Sequence, residues 1–293
     1  MQDTTEILKQ VRRIEIKTRG QANDLFAGHY HSAFRGRGVA FSEVREYRLG
    51  DDVRDIDWNV TARARKPHIK VYEEERELTV MLMVDVSGSG MFGSGDKTKR
   101  TIMTEIAALL AFSAAQNNDK VGCLLFSDRV EKFIPPKKGR SHILSIIRTL
   151  LEFEPESRGS SLVAPLEYLT GVLKKRCITF LMSDFDMPAE QTERLERVLG
   201  IFSRKHDPVA IRVYDRRDAD LPDVGLVEMC DLESGQRVWV DTGSAQVRRH
   251  YAAEYDSRVV AMTRTLSRAR VDSVAVATDE DYVKELLKLF RNR

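Results

Sequence analysis

The chain reads as an α/β protein: a doubly wound, mostly parallel sheet with an irregular, partly β extension ahead of it. Three observations predict this. From residue 77 onward, short apolar runs alternate with amphipathic stretches of helical period. The runs are nearly continuous (TVMLMV, KVGCLLF, CITFLM, PVAIRV), as in strands buried on both faces. Residues 20–76 lack such runs and are dense in charge of both signs.

The elements follow in order. Ile7, Leu8, Val11 and Ile14 have helical spacing and predict a helix over 4–19. In the charged segment, KPHIKVYE reads as a short strand. The run 78–84 is the first sheet strand, 97–116 a helix and 120–126 the next strand. Residues 130–136 return after the turn Ser127–Arg129 as a hairpin. Helices near 140–152 and 161–174 precede a strand ending at Asp184. A helix near 189–205 and a strand over 208–215 come next. LVEMCDLESGQRVWVD reads as a hairpin about Ser234–Gly235. A helix over 244–268, a strand over 271–277 and a terminal helix close the chain. The expected division is an extension at 1–76 and an α/β domain at 77–293, with a hairpin inserted near 224–241.

Bulk properties exclude several classes. Lysine and arginine total 47 against 45 acids. That balance gives no drive towards nucleic acid or an anionic membrane. The first twenty residues carry charge throughout and hold no apolar core, so they are no signal peptide. No run approaches the roughly 20 apolar residues that span a bilayer. A soluble, cytoplasmic protein is expected. Cys123, Cys177 and Cys230 are far apart and odd in number, which suits reduced structural thiols and not a zinc site.

The stretch with the most chemistry is VDVSGSGMFGSGDKT. A buried strand ends at Asp85, and Ser87 and Ser89 follow at alternate positions. The stretch is no P-loop, because Asp96 intervenes before Lys97 and Thr98. It is no nucleophile elbow, because G-x-S-x-G is absent and the six histidines form no local signature. Two readings stand. In one, the serines shape the turn and cap a helix. In the other, Asp85, Ser87 and Ser89 give three hard oxygens to a divalent cation. In open α/β sheets ligands bind beyond the carboxyl ends of strands. Asp85 and Asp184 both stand there.

The loop resembles the D-x-S-x-S of von Willebrand factor A domains, whose metal-ion-dependent adhesion site uses it. The resemblance implies a later threonine and an aspartate after the sheet's fourth strand. Ser160 stands where that threonine is usual, with Ser161 as the next choice, and Asp184 is the aspartate. A longer match lies upstream. Residues Arg45 to Trp58, REYRLGDDVRDIDW, resemble the signature of the DUF58 family, bacterial and archaeal proteins with a von Willebrand A-like domain. The resemblance also takes in NNDKVGCLLFSD, LMSDFD and DLESGQRVWVD. Gly90 departs from the methionine common after the second serine. The family implies association with MoxR-type AAA+ ATPases that mature or assemble other proteins.

Acids and bases are evenly matched between residues 35 and 77. The segment reads either as a solvated ion-pair network or as a docking surface made by Arg45, Asp51, Asp52, Arg54 and Trp58. The resulting expectation is a non-enzymatic adaptor. It holds Mg²⁺, or Mn²⁺ or Ca²⁺, on Asp85, Ser87, Ser89, Ser160 and Asp184, and a client protein adds an acidic ligand. The rivals are a metal-dependent hydrolase or phosphotransferase using Asp85 or Asp184, and a structural module whose metal site has lapsed.

Overall fold

The computed structural model describes residues 4–21, 28–30, 33–34, 40–48, 50–73, 77–186 and 191–293. The chain forms two compact units, Phe34–Leu78 and the remainder.

The large unit is built on a six-stranded sheet. Its strands are β3 (Thr79–Asp85), β4 (Lys120–Phe126), β5 (Val130–Lys137), β6 (Ile178–Ser183), β7 (Asp207–Tyr214) and β10 (Asp272–Ala277), in the order β10-β7-β6-β3-β4-β5. All neighbours are parallel except β5, which runs antiparallel to β4 at one edge. The fold class is therefore the doubly wound, mostly parallel α/β sheet that the alternating apolar runs predict. From β3 the chain steps outward to β4 and β5, then crosses back to place β6 on the other side of β3. The carboxyl ends of β3 and β6 thus flank the topological switch point, where such sheets bind ligands.

Both faces of the sheet are covered. Helices α5 (Val163–Val172), α6 (Thr192–Lys205) and α8 (Ala245–Arg268) supply Leu166, Leu199, Phe202 and Leu266 to a core that includes Met81, Met83 and Leu181 of the strands. Helices α3 (Lys99–Gln116), α4 (Arg140–Glu152) and α9 (Tyr282–Arg291) complete the helical complement beside the one-turn α7 (Arg216–Ala219). Every residue of α3 from Ile102 to Ala114 is buried. A helix buried all round needs cover on its outer side, and α1 (Thr4–Gln21) gives it by packing on α3 and α4. Lys17 of α1 bonds Glu105 of α3 at 2.6 Å, and Lys97 bonds the same carboxylate at 2.9 Å. Sequence pattern grouped this helix with the extension. Its contacts place it with the sheet unit.

The small unit pairs β1 (Ala40–Glu46) with β2 (His68–Glu73) antiparallel, with a bulge between Phe41 and Glu43. Between them lie a 3₁₀ turn at Val53–Asp55 and helix α2 (Trp58–Ala64). The charged signature holds this local structure in place. Arg45 clamps Asp51 through two bonds of 2.8 and 2.7 Å, and Asp51 also accepts the Arg48 amide at 2.7 Å. Gly50 takes φ +107°, which glycine adopts without penalty. Asp52 accepts the Arg54 amide at 2.9 Å and caps the 3₁₀ turn; Asp57 caps α2. Arg54 and Trp58 are left exposed.

The inserted hairpin consists of β8 (Leu226–Cys230) and β9 (Arg237–Asp241), a two-stranded sheet apart from the main one.

Candidate functional site

Three loops meet at the switch point. β3 ends at Asp85 because an unbroken apolar run gives way there to a buried carboxylate, 2% exposed. Its Oδ1 accepts the Ser87 amide at 2.9 Å. Its Oδ2 accepts the Ser160 hydroxyl at 2.9 Å and the Ser183 hydroxyl at 2.6 Å. Ser87 and Ser89 place their hydroxyls 3.2 Å apart. Ser89 lies within a 3₁₀ turn over Gly88–Met91, and the Gly88 amide donates to the Arg158 carbonyl at 2.8 Å. That bond ties the first loop to the segment carrying Ser160. Ser161 faces elsewhere, its hydroxyl donating to Gln191 at 3.2 Å. Of the two serines, Ser160 stands on Asp85.

Asp184 follows β6 directly. Phe185, the next residue, takes the left-handed φ of 56° and is buried in the core, a conformation uncommon outside glycine, asparagine and aspartate. Its amide donates to the Ser183 hydroxyl at 3.0 Å. The Asp184 carboxylate has a partner that the sequence did not announce. Lys99, at the start of α3 and 4% exposed, bonds Asp184 at 2.8 Å and Asp218 of α7 at 3.1 Å. Burial works to lower the Lys99 pKa, but the two carboxylates outweigh it and raise it.

A third carboxylate comes from the inserted hairpin. Glu233, in the turn between β8 and β9, is half-buried. Burial, then the charges of Asp184, Asp85 and Asp231, push its carboxyl up to about 7. Asp85 is pushed up to about 6, by burial first and then by the charge of Asp184, while bonds from Ser183 and Ser87 oppose the shift. Burial leads both shifts, and the charge of Asp184 adds to each.

These properties test the fit of a cation. Among the described residues no cluster of three or more His, Cys, Asp or Glu side chains forms a metal cage. The donor set is instead mixed, carboxylates with hydroxyls, all hard oxygens. That chemistry fits a cation such as Mg²⁺, which keeps part of its water shell and needs few protein ligands. The fit is weakest at Asp184, whose Oδ2 is engaged by Lys99.

The structure thus brings Asp85, Ser87, Ser89 and Ser160 together directly, with Asp184 near enough to perturb Asp85. Arg45, Asp51, Asp52, Arg54 and Trp58 lie in the small unit. Sequence reasoning missed Ser183, Lys99 and Glu233. Ser183 was visible beside Asp184 in LMSDFD. Glu233 was visible only as a turn residue, and Lys99 carried no local signal.

The chain is similar to the uncharacterized proteins Rv1480 of Mycobacterium tuberculosis and Mb1516 of Mycobacterium bovis. Each is 28% identical over 295 residues, covering 99% of this chain and 91% of the relative. Among solved structures it is similar to BatB from Bacteroides thetaiotaomicron, at 14% identity and a TM-score of 0.48, over 73% of this chain and 98% of that one. Manganese-loaded TRAP protein of Plasmodium vivax gives 16% identity and a TM-score of 0.38, over 47% and 57%. Residues 43–260 match the family described as "Protein of unknown function DUF58", and the chain belongs to that family.

Proposed function

We propose that this protein is a non-enzymatic, cytoplasmic adaptor that binds other proteins through a divalent cation and acts with a MoxR-type AAA+ ATPase in their maturation or assembly. The observation that carries the reading is the convergence of Asp85, Ser87, Ser89 and Ser160 at the switch point. A bound Mg²⁺ would supply a Lewis-acidic point able to take a carboxylate from a client. The chain's own groups orient and fix. The hydroxyls of Ser160 and Ser183 hold the Asp85 carboxylate, and the Gly88–Arg158 bond keeps the serine loop in place.

One observation favours a second reading. Lys99 already neutralises Asp184, as in a structural ion-pair cluster that needs no metal. Calorimetric titration of Mg²⁺ and Mn²⁺ separates the two. The adaptor reading expects saturable binding that disappears in Asp85→Ala, or that emerges only with a MoxR-type ATPase present. Absence of binding in every condition would leave the structural reading.

A further inference from the structure

We propose that the amino end of the main sheet is a docking surface for an anionic phospholipid bilayer, formed by Lys174, Lys175, Arg176, Arg204, Lys205 and Arg270. The inference goes beyond the adaptor reading and does not depend on it.

The sheet topology brings these residues together. β6, β7 and β10 are adjacent and parallel, so the segments that enter them lie side by side at one end. Lys174, Lys175 and Arg176 lead into β6, Arg204 and Lys205 into β7, and Arg270 into β10. The Asp207 amide donates to the Cys177 carbonyl at 2.9 Å, and Lys205 reaches the Thr170 carbonyl at 3.5 Å, which fixes the first two segments against each other. All six cations are exposed. Among the described residues none of the six forms an ion pair. The carboxylates of Glu196, Asp207 and Asp272 are already held by Arg268 and Arg293. The opposite end of the sheet is acidic: Asp85 ends β3, and Asp184, Asp215 and Asp279 follow β6, β7 and β10. The even total of 47 bases against 45 acids thus hides a division by place.

Helix dipoles account for part of this division, since α5, α6 and α8 end here and cations suit the carboxyl ends of helices. That effect fades within the last turn, whereas Lys174, Lys175, Arg176 and Arg270 lie beyond the helices. Arg270 also takes the left-handed φ of 57°, directly after the Ala269 cap, where glycine is the usual residue. An arginine there holds a cation at the rim at a cost in backbone energy. Two aliphatic side chains select among anionic partners. Val172, the last residue of α5, and Ile201, one turn before Lys205 on α6, are 40% and 52% exposed. Cations beside exposed aliphatics suit a lipid headgroup layer, which attracts the charge and takes up the apolar groups. A nucleic acid backbone offers the charge but no apolar layer. The rings that would stack on bases are also lacking, because Phe202 and His206 in these segments are buried. Docked this way, the end of the sheet that carries Asp85 and Asp184 faces away from the leaflet.

The test uses the full chain as wild type, as the triple variant Lys174→Gln, Lys175→Gln, Arg176→Gln, and as the single variants Arg270→Gly and Ile201→Ser. Co-sedimentation reads binding to vesicles of phosphatidylcholine alone and of equimolar phosphatidylcholine and phosphatidylglycerol. Wild type should bind only the anionic vesicles, and less as salt rises, because exposed charges are screened. Each cation near an anionic leaflet is worth about five-fold in affinity. Arg270→Gly should therefore bind about five-fold more weakly. Its melting temperature should be no lower than that of wild type, because glycine relieves the left-handed backbone. The triple variant should lose about a hundred-fold in affinity, and Ile201→Ser should also bind more weakly. No binding to anionic vesicles, equal binding to neutral ones, or full binding by the triple variant would each overturn the proposal. Tighter binding to a duplex DNA than to anionic vesicles would overturn it in favour of nucleic acid. Salt-sensitive self-association that the triple variant loses, with no vesicle binding, would overturn it in favour of the acidic end of a second copy.

Discussion

At the residue scale, the decisive group is Lys99. It is buried between Asp184 and Asp218, and breaking a buried ion pair leaves uncompensated charge. Lys99→Met should lower stability by about 3–5 kcal/mol in denaturant unfolding. On the adaptor reading, Mg²⁺ should restore part of that loss by taking the place of the ammonium. A variant as stable as wild type would refute the first expectation, and one indifferent to Mg²⁺ the second. Asp215 provides a pH test. Burial works against its charge, but bonds from the Ser94 hydroxyl and amide, the Thr278 hydroxyl and the Arg217 amide hold it down to about 2. A carboxyl depressed in the folded state adds stability above its unfolded pKa, and that stability is lost as pH falls from about 4 towards 2. Asp215→Asn should flatten the acid limb of the stability profile in that window. An unchanged profile would show that Asp215 does not govern it. Much of the site was legible at this scale, because a carboxylate ending an apolar strand is a local signal. Lys99 was not, since it acts through contacts made by the tertiary fold.

At the element scale, the hairpin and the serine loop share Gly88. Gly88→Ala would press a methyl against the Leu232 backbone, and overpacking of this kind costs about 1–3 kcal/mol. The tip should yield before the buried strand. Hydrogen exchange should therefore quicken at 231–236 while β3 stays protected. Faster exchange across β3 would mean instead that the central sheet absorbs the strain. The sheet strands and their helices were legible because burial on both faces leaves unbroken apolar runs. β1 and α2 were not read, since their sequences carry more charge than periodicity. Their stability comes from caps and clamps such as Asp57 and Arg45–Asp51, which a periodicity search does not see.

At the scale of the whole molecule, the helix 4–21 decides what the sheet unit needs to fold. A boundary near residue 77 suits the sequence, where apolar runs begin. The packing argues otherwise. α3 is buried from Ile102 to Ala114, although a helix on an open sheet ordinarily turns one polar face to water. α1 lies on α3 and α4, with the Lys17–Glu105 bond and the Arg140–Glu15 pair at the contact. Without α1, the outer side of α3 would meet solvent, and an exposed apolar face of that kind promotes association. A chain beginning at residue 77 should therefore melt lower than the full chain and aggregate, as read by calorimetry and light scattering. Adding residues 1–21 as a separate peptide should partly restore the melting temperature. If the shortened chain remains monomeric and melts with the full one, α1 is dispensable, and the boundary near residue 77 is the correct one.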